Sequence, residues 1–234
     1  MNTFICHPER DSPHPAIIFF MDAPGIREEL RDMVRRLGTV GYYVMLPNLY
    51  YRANVEELGP LVGEAAVATR QKALHFMTTI NIPMVMQDVD ALLAFSAQDE
   101  AALHGPMGCV GYCMSGQYAI NAAVRHKERI RAAASIYGVA LVTDKPDSPN
   151  LAPQRTDARL YFGCAENDSY APQVMIDRLR AELTAKGSNA EVEIYPGAAH
   201  GFAFPSRGVY DKPAAERHWE RLFALFGTAL KRTQ

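Results

Sequence analysis

The hydrophobic positions of this chain switch repeatedly between two periods. Pro15 to Met21 is a compact apolar run of strand length, after which Ile26, Leu30, Met33, Val34 and Leu37 recur at the spacing of one helix face. Tyr42 to Leu46 is a second short run, stopped by Pro47, and Val85 to Phe95 carries apolar positions at helical spacing. Tyr50 to Ile82, between them, gives the weakest signal. Met107 to Val110, Ala132 to Ile136, Leu160 to Cys164 and Ala190 to Tyr195 read as further strands. Gln117 to His126, Pro172 to Lys186 and Pro213 to Lys231 read as helices, with Gly187 suited to end the second and Pro213 to start the third. Strands alternating with helices predict an α/β fold in which a mainly parallel central sheet has helices on both faces.

Composition narrows the picture. With 234 residues, 48% of them hydrophobic and 21% charged, the chain can bury one substantial core, and a single domain over residues 1–234 is expected. A formal net charge of −2 offers no electrostatic footprint for nucleic acid or an anionic membrane surface. The segment from Met1 to Pro8 lacks a basic stretch followed by an apolar one, and no run approaches the about 20 apolar residues of a membrane span, so a cytoplasmic protein is expected. The cysteines at 6, 109, 113 and 164 have no metal-binding spacing, and nothing points to an oxidising compartment; no metal, disulfide or cofactor is expected. Cys109 and Cys164 lie in apolar runs, where a free thiol behaves as a small hydrophobe, and Cys6 has no activating neighbour in sequence.

Cys113 stands apart from these. The stretch Val110-Gly111-Tyr112-Cys113-Met114-Ser115-Gly116 runs from a strand into an Ala-rich helix, with small residues where a nucleophile elbow needs strand and helix to approach closely. Two later loops at strand ends hold reactive residues: Asp168, in Gly163-Cys164-Ala165-Glu166-Asn167-Asp168, and His200, in Gly197-Ala198-Ala199-His200-Gly201-Phe202. In parallel sheets, sites form at the carboxyl ends of the strands. The order nucleophile, acid, histidine is the order α/β-hydrolases use for their triads. Each residue has a plainer reading: Cys113 as a buried thiol, His200 as one of seven histidines, Asp168 as a rival of Glu166 in its own loop or of Asp177 in the next helix. The small residues around Cys113 and the position of His200 after a strand favour the triad. Trp219 reads as a core or interface residue.

The chain resembles the dienelactone hydrolase family of α/β-hydrolases. The resemblance rests on Gly111-Tyr112-Cys113-Met114-Ser115-Gly116, Asp168-Ser169-Tyr170-Ala171-Pro172 and His200-Gly201-Phe202-Ala203-Phe204, with support from Leu46-Pro47-Asn48-Leu49-Tyr50-Tyr51-Arg52, Tyr137-Gly138 and Tyr210-Asp211. It implies an α/β-hydrolase fold and a metal-free cysteine triad that hydrolyses enol lactones and related activated esters. The step of four residues from Asp168 to Pro172 matches the family and makes Glu166 a solvated loop carboxylate. Two departures follow. Where the family carries a glutamate that hydrogen bonds the cysteine, this chain has Asp22, one methylene shorter; where it clamps a substrate carboxylate with an arginine four residues past the histidine, this chain has Phe204. Arg70 lies near the expected place of the second clamp arginine, and Tyr137 is a further candidate for substrate binding.

In the expected mechanism, Asp168 orients His200, His200 takes the proton from Cys113, and the backbone amides of Met114 and Ala23 hold the developing oxyanion. A thiolate, whose acid has a pKa of about 8.5, leaves a tetrahedral intermediate far more easily than an alkoxide. Productive small-molecule substrates are therefore enol lactones, aryl esters or thioesters, with activated phosphoesters and acyl transfer as neighbouring chemistries. A thiol redox sensor or a binding module without catalysis are the readings from other classes, and the acid and histidine speak against both.

Overall fold

The apolar runs assemble into one seven-stranded sheet in the computed structural model, which describes residues 1–185 and 189–230. The strands are β1 (Thr3–Cys6), β2 (Ala16–Phe20), β3 (Tyr43–Pro47), β4 (Met107–Tyr112), β5 (Ile130–Ile136), β6 (Arg159–Asn167) and β7 (Ala190–Ala199), in the order β1-β3-β2-β4-β5-β6-β7. Only the β1–β3 pair is antiparallel. The helices are α1 (Glu28–Thr39), α2 (Ala66–Met77), α3 (Ile82–Ser96), α4 (Gly116–Arg125), α5 (Gln173–Ala185) and α6 (Lys212–Leu230).

Every residue of β2, β3 and β4 is buried, as covering on both faces requires. Adjacent residues of β4 show the two layers. A Cβ added at Gly108 would collide with Phe226 of α6, whereas the Cys109 thiol donates to the Ala119 carbonyl of α4 at 3.1 Å. Successive side chains point to opposite faces, so α4 and α6 cover opposite sides of the sheet. Burial drives the Cys109 thiol pKa well up and that of Cys164 to about 12, which leaves both as packing residues.

Several elements differ from the sequence reading. β1 was not expected: its four residues are only half-buried and it exists through pairing with β3, a contact that hydrophobic spacing does not report. α2 lies inside the weak region; it turns Val67 and Leu74 outward and buries only Thr69 and Ala73, so its apolar pattern carries little information. α1 begins two residues after Ile26, which is buried ahead of the helix. α3 starts three residues early because Asn81 caps it, its side chain accepting from the Met84 amide at 3.0 Å. The expected boundaries at Lys186, Gly187 and Lys231 lie outside the described residues. Among the described residues no helix is long and apolar enough to cross a membrane.

Candidate active site

β4 delivers Cys113 to the carboxyl edge of the sheet and α4 begins three residues later. Cys113 has φ +54°, a left-handed conformation that a non-glycine residue holds only when its surroundings impose it. The surroundings are visible. A Cβ at Gly111 would fall on the Ser115 carbonyl, and one at Gly116 would meet the Ser135 hydroxyl and stand 2.8 Å from the Gly138 Cα. The Val139 amide donates to the Cys113 carbonyl at 3.2 Å, while the Ser115 hydroxyl donates to the Met21 carbonyl at the end of β2. Sequence reading took Ser115 only as a small flanking residue; the tie to β2 is long-range and has no local signature.

Strand register brings the other two residues together. Asn167 of β6 pairs with Ala199 of β7, so Asp168 and His200 are the next residues to leave the sheet, side by side. His200 Nδ1 donates to Asp168 Oδ2 at 2.7 Å, and Asp168 Oδ1 accepts from the Tyr170 and Ala171 amides at 2.8 and 3.2 Å. The Asp168 side chain is fully buried. Burial alone would lower the His200 pKa, but the hydrogen bond it donates to Asp168, and after it the Cys113 sulfur, favour the imidazolium and raise the value to about 9. His200 Nε2 is buried without a regular hydrogen-bond partner among the described residues. The imidazole is held between the rings of Tyr137 and Tyr170, at 5.1 and 4.9 Å.

Met114 and Ala23, the two residues expected to offer oxyanion amides, meet at Tyr50. Its buried hydroxyl donates to the Ala23 carbonyl at 2.8 Å and lies 3.4 Å from Met114 Sδ. Tyr50 belongs to the Leu46–Arg52 motif, but nothing in the motif assigns it this place.

The sequence profile of the dienelactone hydrolase family matches residues 1–230. The chain belongs to the dienelactone hydrolase family. Membership makes it a hydrolase acting on ester bonds. Among curated relatives, a Methylorubrum extorquens protein provisionally named carboxymethylenebutenolidase is 27% identical over 233 residues, covering 95% of this chain and 76% of the relative. A solved structure of a provisionally named Klebsiella pneumoniae dienelactone hydrolase superposes with a TM-score of 0.82 at 23% identity, covering 96% of this chain and 92% of that one. A dienelactone hydrolase-like promiscuous phosphotriesterase from metagenomic libraries superposes with a TM-score of 0.76 at 16% identity, covering 98% and 92%. These likenesses show the shared α/β-hydrolase fold.

Against the dienelactone hydrolase pattern, the remaining candidates take definite positions. Asp22 is fully buried and committed to guanidinium groups: Arg27 Nη1 reaches Oδ1 at 2.6 Å, Arg27 Nη2 reaches Oδ2 at 3.3 Å, and Arg207 Nη2 donates to Oδ2 as well. Phe204 is fully buried, with the Arg27 and Arg207 guanidinium carbons 4.7 and 4.8 Å from its ring centroid. Both guanidiniums that lie over the Phe204 ring are the ones paired with Asp22. Arg70 donates to the Tyr170 hydroxyl at 2.7 Å, which places it at the rim of the site beside the ring that covers His200. Tyr137 adopts φ +36° and is fully buried, its hydroxyl pKa driven well up by burial, so it forms an inner wall against His200, Phe202 and Phe204. Glu166, expected to be only solvated, accepts from the Gly197 amide at 2.7 Å and steadies the strand that leads to His200. Trp219 is a core residue, stacked on Phe223 and beneath Arg36.

Proposed function

We propose that the chain hydrolyses activated carboxylic esters, enol lactones of the carboxymethylenebutenolide type foremost, through a Cys113-His200-Asp168 triad and a thioester acyl-enzyme. The observation that carries this reading is the meeting of a left-handed Cys113 in a glycine-walled elbow with an imidazole fixed by Asp168 at 2.7 Å. Asp168 accepts from Nδ1–H and, with the Cys113 sulfur, favours the imidazolium that forms when Nε2 takes the thiol proton. The thiolate attacks the carbonyl carbon, forming the C–S bond. The oxyanion is held by the Met114 and Ala23 amides, the first of them at the start of a helix where the backbone dipole favours negative charge. Collapse expels the enolate, phenolate or thiolate leaving group, which takes the proton from the His200 imidazolium and restores the base. Water deprotonated by His200 then attacks the thioester, and collapse releases the carboxylic acid and the Cys113 thiolate, which recovers the proton from His200.

Leaving-group chemistry limits the substrates. An alkoxide, much more basic than the thiolate, stays while the sulfur leaves, so simple alkyl esters return to reactant. The resemblance to a phosphotriesterase in fold makes activated phosphotriesters the natural comparison substrate. Specificity constants measured on one acyl group with enol, aryl, thiol and alkyl leaving groups test the proposal. It expects the alkyl ester to be slower by about three orders of magnitude or more; equal rates for alkyl and aryl esters would contradict it.

A further inference from the structure

Two loops that carry opposite sides of the proposed chemistry brace one another. The loop after β2 holds Asp22 and Ala23; the loop after β7 holds His200, Gly201, Phe204 and Arg207. Each sends a guanidinium onto the other. Arg27 lies over the Phe204 ring at 4.7 Å, and Arg207 crosses back to the buried Asp22 carboxylate. On its way Arg207 lies across the backbone of Gly201: a Cβ there would stand 2.8 Å from Nη1 and 3.2 Å from Cδ. Gly201, at φ +93°, therefore has two reasons to lack a side chain, and it immediately follows His200. Asp22 immediately precedes Ala23. One arginine thus packs on the residue next to the general base and pairs with the residue next to an oxyanion amide.

We propose that Arg207 is a positioning residue, which through its ion pair with Asp22 and its packing on Gly201 fixes the distance between the imidazole of His200 and the Ala23 amide. This rests on the cysteine-triad reading above and adds the part that sets the base and oxyanion sides in register. Asp22 acts in this arrangement as the anchor of the brace, with both carboxylate oxygens engaged by guanidinium groups. The fork of an arginine holds a direction that a lysine does not, so charge alone is insufficient. The Asp168-His200 pair has its own partners and does not depend on the brace for its charge.

The test compares wild type, R207M, R207K, D22N and the R207M/D22N double variant on one aryl ester, with kcat and KM separated. The pH dependence of Cys113 alkylation by iodoacetamide is followed in parallel. R207M and D22N each lower kcat by about 10- to 100-fold, because small misplacements of reacting groups carry penalties of that size. KM and the pH midpoint of alkylation stay as in wild type, R207K recovers less than half of the loss, and the double variant is no slower than the slower single one beyond about twofold. R207M with wild-type kcat, losses that multiply in the double variant, or a shifted alkylation midpoint that accounts for the loss would each overturn the proposal. If R207M does not fold, R207K and D22N carry the same comparison. A wild-type chain without ester turnover contradicts the triad reading itself, whereas an active wild type with equally active R207M and D22N contradicts the brace alone.

Discussion

Replacing Asp168 by asparagine removes one charge at nearly constant shape. Asp168 Oδ1 takes the Tyr170 and Ala171 amides, so the asparagine oxygen remains there and its NH₂ faces His200 Nδ1. That nitrogen must then accept, which moves the proton to Nε2, the position that receives the thiol proton in the proposed mechanism. The lost charge can be sized. An imidazole held at about 9 rather than 6.5 has its charged form favoured by about 3.4 kcal/mol, an upper bound on the share of Asp168, because the Cys113 sulfur also raises the value and stays in the variant. A loss of up to that size corresponds to acylation slower by at most roughly 300-fold. The assay is the pH profile of kcat/KM on an aryl ester, with the His200 ring proton followed by NMR and Cys113 alkylation as a second reading of the pair. Asp168→Asn is expected to fall by about 10- to 300-fold with its imidazole midpoint well below that of wild type. A variant within threefold of wild type, or one whose midpoint stays near 9, would refute the reasoning.

Further outcomes follow from neighbouring geometry. Gly116→Ala drives a methyl into the Ser135 hydroxyl and to 2.8 Å from the Gly138 Cα, so urea unfolding should show a loss of about 1–3 kcal/mol and turnover should fall with it; an unaffected midpoint contradicts the crowding. His218, wholly buried with Nδ1 donating to the Ala215 carbonyl and Nε2 accepting from the Tyr112 hydroxyl at 3.1 Å, has its pKa lowered to about 3 by burial. The unfolded chain binds that proton at about 6.5 and the folded chain at about 3, so stability falls as pH drops between these values, by up to about 1.4 kcal/mol per pH unit from this group. His200 acts in the opposite sense, its contribution complete below about 6.5 and lost as pH rises through about 9. Urea midpoints of wild type and His218→Phe from pH 3 to 7 check the first statement: the variant should lose much of the acid slope, and equal slopes would contradict it.

The strands that form the buried sheet were legible because each is a short apolar run, and the three site loops because each follows such a run. β6 and β7 ran further than their apolar stretches, to Asn167 and Ala199, and it is this extension, in register, that sets Asp168 beside His200. What local pattern could not report is pairing across the chain. β1 depends on β3; Ser115 reaches Met21, 94 residues away; Arg207 reaches Asp22 across 185 residues. Asp22 is held by two arginines, and Arg207 lies over the Phe204 ring, contacts that no local pattern around either residue reports. Such contacts in space separate a motif from the site it builds.

The central claim is that Cys113 becomes acylated. Mixing the protein with an aryl ester whose acyl group deacylates slowly, quenching in acid and mapping the adduct by peptide mass spectrometry tests it most directly. The account predicts one acyl group per chain on the peptide containing Cys113, a burst of phenol matching it in amount, and neither in Cys113→Ala. Steady turnover by Cys113→Ala, or an adduct on Cys6, Cys109, Cys164 or a hydroxyl, would contradict it.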